Sequence, residues 1–318
     1  MANQLDKLIN APYFMVTFTL PSELRAVMRR HAEVLYNEFF AVSSRCLRDQ
    51  LASHEDGLGA ADSGFFGIMH TWTQLLRYHP HIHYIVPGIG VGEDGRLSRV
   101  AKADYLMPWE PLRDTFVTGF KTMLESHDLL SACPPEVWAK DWRINIQAFG
   151  NGQNAVKYLG AYVRKTAIGN SRIKAIDPDK HTVTFSYLDR ADEGVRKEKT
   201  LSGVEFISRY LQHVFPGKFH RLRYYGYLHS RSKSRLLKLQ TLTETPIVLD
   251  VRAAEGEAEP SCPSCGKGMQ VVDTFDRRWT TNAVVDAIWG VKTPPPRLPL
   301  IIRRPGRPPP TPSTPVAV

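Results

Sequence analysis

Three histidines occupy alternate positions in the stretch HPHIHYIV, residues 79–86. The stretch has the length and the β-branched residues of a strand, in which alternate side chains point to the same face. Adjacent histidines then lie about 6.6 Å apart, close enough to converge on one metal ion, whereas the outer two lie about 13 Å apart. Because Pro80 removes a ladder hydrogen bond beside His79, the spacing predicts that His81 and His83 form the metal-ligating pair.

The sequence leaves the third metal ligand open. Two imidazoles bind several divalent metals and leave positions for another ligand and for a substrate oxygen. The candidates are His70, Gln74, His79 and Gln153, and we favour Gln74. The alternative to a metal site is a solvated strand face, on which the histidines are satisfied by hydrogen bonds.

A second candidate for chemistry is the stretch VKYLGAYVRKT, residues 156–166. On a helix, Tyr158 and Tyr162 share one face, so both hydroxyl groups would point into the same cavity. Lys165 follows one turn later, where an ammonium group could stabilise phosphate charge or lower the pKa of a phenol. The alternatives are two tyrosines packed in a core and a solvated lysine.

Composition limits the class of protein. The chain has 318 residues, 42% of them hydrophobic, and a formal net charge of +9. The positive charge favours a polyanionic partner such as nucleic acid. No apolar run approaches the roughly 18 residues of a membrane span, and the start MANQLDKLINAP lacks the layout of a signal peptide, so we expect a cytoplasmic protein. Four cysteines do not make a disulfide scaffold.

The pattern along the chain predicts an α+β fold with an antiparallel sheet flanked by helices. We expect the HPHIHYIV strand to pair with the strand YFMVTFTL, and the tyrosine helix to cover the histidine face. Residues 65–78 are interpreted as helical or mixed. The other predicted elements are a helix from Ser22 to about Leu51, a hairpin through GIGVGEDGRL, helices near 111–127, 153–165 and 203–214, and strands at 143–149 and 182–189.

Composition divides the sequence into three predicted segments. Residues 1–240 form the predicted catalytic domain, 241–290 a small segment with a CPSC pair, and 291–318 a proline-rich basic tail that cannot sustain a helix or a central strand. Cys262 and Cys265 have the spacing of half a zinc site. Because structural zinc takes four ligands and no second pair follows, we do not expect zinc there.

The motifs YFMVTFTLP, HPHIHYIV and YLGAYVRK follow one another in the order of the three motifs of HUH endonucleases. More narrowly, the sequence resembles the two-tyrosine transposases of the insertion-sequence-ninety-one family. The fragments HTWTQLLRYHPHIH, RYLQHVFPGKFHRLRYYGYLHSR and CPSCG agree with that family, so the resemblance covers most of residues 11–266.

The resemblance implies an HUH endonuclease fold and a transposase of the rolling-circle type. Mg²⁺ or Mn²⁺ would be held by His81 and His83. Tyr158 and Tyr162 would cleave and rejoin single-stranded DNA at the transposon ends and at the target, through 5′-phosphotyrosine intermediates.

Basic residues interleaved with aromatic residues suit single-stranded DNA, because phosphates take the charge and bases stack on rings. The segment HRLRYYGYLHSRSKSR, residues 220–235, has this composition. We interpret Arg164, Arg221, Arg223 and Arg231 as DNA-binding. The alternative is an edge strand whose tyrosines pack inward.

Two other functions stay open. A replication initiator or relaxase of the HUH class would use the same residues at a plasmid origin. Members of the transposase family usually carry a cysteine-rich zinc-binding segment before the catalytic domain, whereas this sequence opens close to the first catalytic strand. From a different class, the chain is therefore also interpretable as an inactive DNA-binding remnant.

Overall fold

The computed structural model describes residues 7–53, 58–163, 166–189 and 191–245. The helices are α1 (Arg25–Arg30), α2 (Ala32–Ala52), α3 (Glu110–Ser126), α4 (Gly152–Val163), α5 (Gly203–Leu211) and α6 (Lys233–Leu242). The strands are β1 (Tyr13–Thr19), β2 (Asp62–Ser63), β3 (Phe65–Trp72), β4 (Tyr78–Pro87), β5 (Ile89–Val91), β6 (Leu97–Arg99), β7 (Ile144–Gly150), β8 (Ile173–Asp177), β9 (Thr182–Asp189), β10 (Val195–Ser202) and β11 (Leu222–Tyr225).

The largest sheet has five strands in the order β11-β3-β4-β1-β7, and every neighbouring pair is antiparallel. The histidine strand β4 is therefore central, between β3 and β1. The predicted α+β fold and the predicted pairing of β1 with β4 are confirmed. The register places Thr17 opposite His83 and Thr19 opposite His81.

One face of this sheet packs against helices α2 and α3. Phe14, Val16 and Phe18 of β1 alternate with residues of the other face and are fully buried. The Phe18 ring lies 4.9 Å from that of Phe116 in α3 and 5.6 Å from that of Tyr84 in β4, both edge to face. Because β4 alternates, burial of Tyr84 on this face turns the histidines of β4 to the opposite face.

Residues 65–78, which we interpreted as helical or mixed, contain no helix. They contain strand β3, a turn and the first residue of β4. Every residue from Phe65 to Thr71 is buried, so this strand is covered on both faces and shows no alternation of polar and apolar residues. A short apolar run of this kind does not distinguish a buried strand from a buried helix.

The predicted helix from Ser22 is also interrupted. A 3₁₀ turn at Ser22–Leu24 leads into α1, and His31, with φ −114° and ψ 33°, separates α1 from α2. Strands β8 and β10 were not predicted. In β10 the sequence VRKEKTLS buries only Leu201, so the strand lacks an apolar face that a pattern could reveal.

The remaining predicted elements are present near their expected positions: the hairpin β5–β6, helices α3, α4 and α5, and strands β7 and β9. Among the described helices, none is both long and apolar enough to cross a bilayer. The segment predicted at 241–290 begins in the last turn of α6. Its residues after Thr245, which include Cys262 and Cys265, and the segment predicted at 291–318 lie outside the described residues.

Strands β8, β9 and β10 form a separate three-stranded sheet with its own core, which includes Leu76, Phe185 and Leu201. Leu76 belongs to the turn between β3 and β4, where its φ is +57°. Three successive carbonyl groups of this turn accept hydrogen bonds from charged or polar side chains: Gln74 from Arg172, Leu75 from Arg209 and Leu76 from His213. The turn that joins β3 to β4 is thus held by side chains from later parts of the chain.

Gly226 offers a test of the packing at the outer strand. It follows β11 with φ +56°, and a Cβ atom there would lie 1.6 Å from the carbonyl oxygen of Ser63. We expect Gly226→Ala to lower the free energy of unfolding by about 3 kcal/mol or more, because backbone must move as well as adopt a disfavoured φ. Urea unfolding followed by tryptophan fluorescence measures this.

Gly95→Ala is the matched control, since Gly95 has φ +76° but nothing within 4 Å of a Cβ position. It should cost only the conformational term of about 1 kcal/mol. Equal losses for the two variants would contradict the packing explanation.

Candidate metal and nucleophile site

A cluster of three histidines lies on the face of the sheet opposite α2 and α3. His70 of β3 stands directly opposite His81 of β4 in the antiparallel register, and His83 lies two residues further along β4. Residues opposite one another in an antiparallel pair share a face. The ring centroids are 4.7 to 5.4 Å apart, and one ring nitrogen from each residue lies within 4.8 Å of the other two.

Hydrogen bonds orient the two histidines of β4. Nδ1 of His81 lies 2.7 Å from the carbonyl oxygen of His79, so this nitrogen carries the hydrogen and donates it. Nδ1 of His83 lies 2.9 Å from Oγ1 of Thr17. With its hydrogen on Nδ1, the His81 ring keeps its lone pair on Nε2. A hydroxyl group can donate or accept, so the His83 ring has its lone pair on Nε2 when Thr17 accepts. Contacts of this kind fix the tautomer and direction of metal-ligating histidines.

His79, the first histidine of the stretch, is in a different state. A guanidinium nitrogen of Arg25, Nη2, lies 2.9 Å from Nδ1 of His79. Guanidinium can only donate, so Nδ1 accepts and the ring hydrogen of neutral His79 is on Nε2. Burial, and then the charge of Arg25, lower the pKa of His79. This ring therefore presents a donor where His81 presents a lone pair.

The donor set fits a divalent metal ion. Metal–imidazole bonds of about 2.1 Å allow nitrogen atoms to be at most about 4.2 Å apart, so the observed limit of 4.8 Å requires only small ring rotations. Neutral imidazoles are ligands for several divalent metals. His70 is 3% exposed, and its ring stacks on Trp72 at 5.0 Å, which holds it in place.

The third member of the cluster is His70, whereas we favoured Gln74 from the sequence. Gln74 lies beyond the end of β3, in the turn where its carbonyl group accepts a hydrogen bond from Arg172. The signal for His70 is the register between β3 and β4, which requires β3 to be identified as a strand. The sequence offered His70 as one of four candidates, but interpreting residues 65–78 as helical or mixed gave no register that would favour it over Gln74.

Helix α4 brings one of the two tyrosines to the cluster. The ring of Tyr158 lies 6.2 Å from that of His83 and 5.3 Å from that of Phe149, edge to face in both cases. The tyrosine helix therefore lies on the histidine face, as the sequence predicted. Tyr162 follows within α4, one turn further on. Arg164 and Lys165 lie outside the described residues.

The segment 220–235 combines packing with exposure. Arg223 packs on the Phe40 ring at 4.4 Å and hydrogen-bonds to Asn37. Arg221 is half-buried, and burial lowers its pKa, whereas Arg231 is exposed.

The tyrosines of this segment have packing contacts. Tyr225 stacks on Phe65 at 4.9 Å, and the Tyr227 hydroxyl group donates to the Ile89 carbonyl oxygen at 2.9 Å. Tyr224 lies 5.8 Å from Phe66. The alternative that these rings pack inward therefore fits the structure.

A histidine cluster on a central antiparallel strand, faced by a tyrosine on a helix, defines a protein with a candidate metal site and an adjacent candidate nucleophile. Residues 64–235, more than half of the chain, match a protein family described as "Putative transposase". The chain belongs to this transposase family. This agrees with the resemblance to the transposases of the insertion-sequence-ninety-one family.

Two relatives support the assignment. The "Putative transposase y4qJ" of Sinorhizobium fredii is 30% identical, over 87% of this chain and 78% of that protein. The "Transposase for insertion sequence element IS801" of Pseudomonas savastanoi pv. phaseolicola is 29% identical, over 72% of this chain. The match spans 57% of the second relative's length. No solved structure gives a significant match.

The hydrogen bond between Thr17 and His83 leads to a prediction about metal affinity. Thr17→Val keeps the shape of the side chain and removes the oxygen that orients the His83 ring. We expect it to weaken Mn²⁺ binding about 10-fold, the lower end of the range for such partners. Isothermal titration of the protein with MnCl₂ measures this.

Thr19→Val is the control, because Thr19 lies on the same strand and opposite His81. Nδ1 of His81 is bonded to a backbone carbonyl instead. Its Mn²⁺ affinity should equal that of the unaltered protein, and equal losses in both variants would refute the orienting role of Thr17.

Proposed function

We propose that the protein is a metal-dependent endonuclease and strand transferase that cleaves and rejoins single-stranded DNA during rolling-circle transposition, with the HUH arrangement of residues. The observation that carries the proposal is the contact between the Tyr158 ring and His83, beside the cluster of His70, His81 and His83. A nucleophile and a set of metal ligands on the same side of one sheet suit phosphodiester cleavage. Membership of the transposase family supports DNA as the substrate.

His70, His81 and His83 would hold the metal, which we propose is Mg²⁺ or Mn²⁺. When bound, such an ion would polarise a phosphoryl oxygen of the scissile phosphate and offset its charge. Of the two ions, Mn²⁺ suits a set of three nitrogen donors better, because Mg²⁺ is bound in proteins mainly through oxygen ligands and water. The carbonyl group of His79 keeps the His81 ring in the tautomer that metal binding through Nε2 would require, and Thr17 orients the His83 ring.

Tyr158 is the proposed first nucleophile to test. Its phenol would lose its proton as the oxygen attacks the phosphorus atom, the bond from phosphorus to the 3′ oxygen would break, and the leaving oxygen would take up a proton. The products are a 5′-phosphotyrosine and a free 3′-hydroxyl group. An unperturbed phenol has a pKa near ~10, so neutralisation of phosphate charge nearby is needed for attack at neutral pH.

Two tyrosines allow two linked cleavages. The phosphotyrosine bond retains the energy of the phosphodiester, so a 3′-hydroxyl group can attack it and rejoin the strand without ATP. While one tyrosine is occupied, Tyr162 provides a second nucleophile one helical turn away, about 6 Å along the axis of α4. Lys165 and Arg164, which follow in the sequence, would offset phosphate charge.

We propose that the DNA strand is held through its phosphates by Arg221 and Arg231, with Arg223 contributing less because its guanidinium group is packed on Phe40.

We place the activity in the cytoplasm, in keeping with Cys46 and Cys133, which are both buried free thiols.

The choice of the third ligand can be tested with two alanine variants. We expect His70→Ala to weaken Mn²⁺ binding at least about 10-fold and to slow metal-dependent cleavage of a labelled single strand, because it removes one of three donors. Gln74→Ala should leave both unchanged. The opposite pattern would restore Gln74 as the ligand. Normal cleavage by a variant lacking both His81 and His83 would refute the metal site itself.

The division of work between the tyrosines can be tested by trapping. Tyr→Phe removes the hydroxyl group and keeps the ring, which at Tyr158 packs on His83. Each single variant, at Tyr158 or at Tyr162, should still attach covalently to some labelled oligonucleotide yet support little complete transposition, and the double variant should attach none. Peptide mapping of the adduct identifies the attacked residue. Label on Tyr224, Tyr225 or Tyr227 would refute the assignment.

A further inference from the structure

Arg25 lies one histidine away from the metal-ligand cluster. Its Nη2 atom donates to Nδ1 of His79 at 2.9 Å, and the ring of His79 is centred 5.3 Å from that of His81. Arg25 begins α1, which the break at His31 separates from the longer helix α2. The guanidinium group is therefore held at the end of the histidine row by a hydrogen bond to an imidazole and not by a carboxylate.

The positive charge at this place is only partly offset by a nearby acid, Glu23. Among the described residues, none of the salt bridges involves Arg25 or Arg77. Glu23, the acid that acts on the charge of Arg25, hydrogen-bonds to Lys140. Burial lowers the pKa of Arg25, Glu23 opposes this shift, and Arg77 adds to it. Arg77 is exposed and immediately precedes β4, two residues before His79, so a second guanidinium group lies at the same end of this strand.

His79 adds a donor to this pair. Because its Nδ1 accepts from Arg25, the remaining ring nitrogen carries a hydrogen and can only donate while the ring is neutral. Two guanidinium groups and one N–H group thus lie near the start of β4, and none of them offers a lone pair to a ligand. Such a set favours an anion with several acceptor oxygens, and arginine is the usual ligand of phosphate.

We infer that Arg25, Arg77 and His79 form a phosphate-binding subsite beside the histidine cluster, which holds a phosphodiester group of the DNA strand next to the one that is cleaved. The inference rests on the proposed function for the identity of the strand. In this arrangement β4 carries both sites in one row: His81 and His83 ligate the metal, and His79 helps to hold the neighbouring phosphate. Arg25 and His79 are positioning residues, since they do not touch the reacting atoms.

The test measures binding without cleavage. Fluorescence anisotropy of a labelled oligothymidylate of 20 nucleotides is recorded against protein concentration at several salt concentrations, in buffer with EDTA. Each phosphate contact on a single strand contributes about 0.7 to the slope of log K against log salt. We expect Arg25→Gln to lower the slope by about 0.7 and to weaken binding about 10-fold at low salt.

Arg30→Gln is the matched control, because Arg30 is exposed at the end of the same helix and the charge change is the same. It should leave the slope unchanged. Arg25→Lys should restore the slope of the unaltered protein, since an ammonium group still contacts phosphate. His79→Asn keeps an acceptor near Arg25 but loses the ring donor, so it should weaken binding a few-fold without a change in slope.

Several results would overturn the subsite: equal slopes for Arg25→Gln and the unaltered protein, equal changes for Arg25→Gln and Arg30→Gln, or no binding of oligothymidylate at all. A lower melting temperature of Arg25→Gln with an unchanged slope would mean that Arg25 only anchors α1 to β4. The proposed cleavage is judged separately. A protein that shows the expected slopes but never attaches to DNA would retain the subsite and lose the nuclease assignment.

Discussion

The candidate site depends on the antiparallel register between β3 and β4. His70 reaches the cluster because it stands opposite His81, and a slip of one residue would turn it to the face that α2 and α3 cover. The same register places buried Ile82 and Tyr84 against the aromatic core while His81 and His83 point away from it. Core packing thus fixes the face on which the histidines lie, because a shift by one residue would bury imidazoles among phenylalanines and expose apolar side chains.

One face of β4 packs in the core, and the other face carries the candidate site. On one face, aromatic rings pack edge to face around Phe18, Tyr84 and Phe116, and the Tyr84 hydroxyl group is hydrogen-bonded to Ser43 at 2.8 Å. On the other face, half-buried histidines are fixed by Thr17, by a backbone carbonyl group and by Arg25. A rigid strand that presents pre-oriented side chains needs little rearrangement to bind a charged ligand.

The amount that the sequence predicts differs between elements, for physical reasons. Strand β1 and strand β4 alternate, so their faces and the pairing of His81 with His83 follow from the period of two. Tyr158 and Tyr162 follow from helical spacing. Strand β3 is buried on both sides, so its type and the position of His70 in the histidine cluster required the three-dimensional register.

Other features depend on contacts between distant parts of the chain. Arg25 and His79 are 54 residues apart, and no local pattern indicates that one sets the tautomer of the other. The tyrosines of 224–227 have the composition of a DNA-binding segment, yet their packing partners Phe65, Phe66 and Ile89 lie more than a hundred residues earlier. Composition describes what such residues can contact, and tertiary structure decides which contact is made.

The turn between β3 and β4 has a consequence for protein engineering. Its carbonyl groups at positions 74 to 76 accept hydrogen bonds from Arg172, Arg209 and His213. The Leu76 side chain is buried in the core of the sheet formed by β8, β9 and β10. A non-glycine residue at φ +57° costs free energy that these contacts offset. Trimming the chain to its five-stranded sheet, in search of a minimal enzyme, would remove the hydrogen bonds and packing that keep the two histidine-bearing strands aligned.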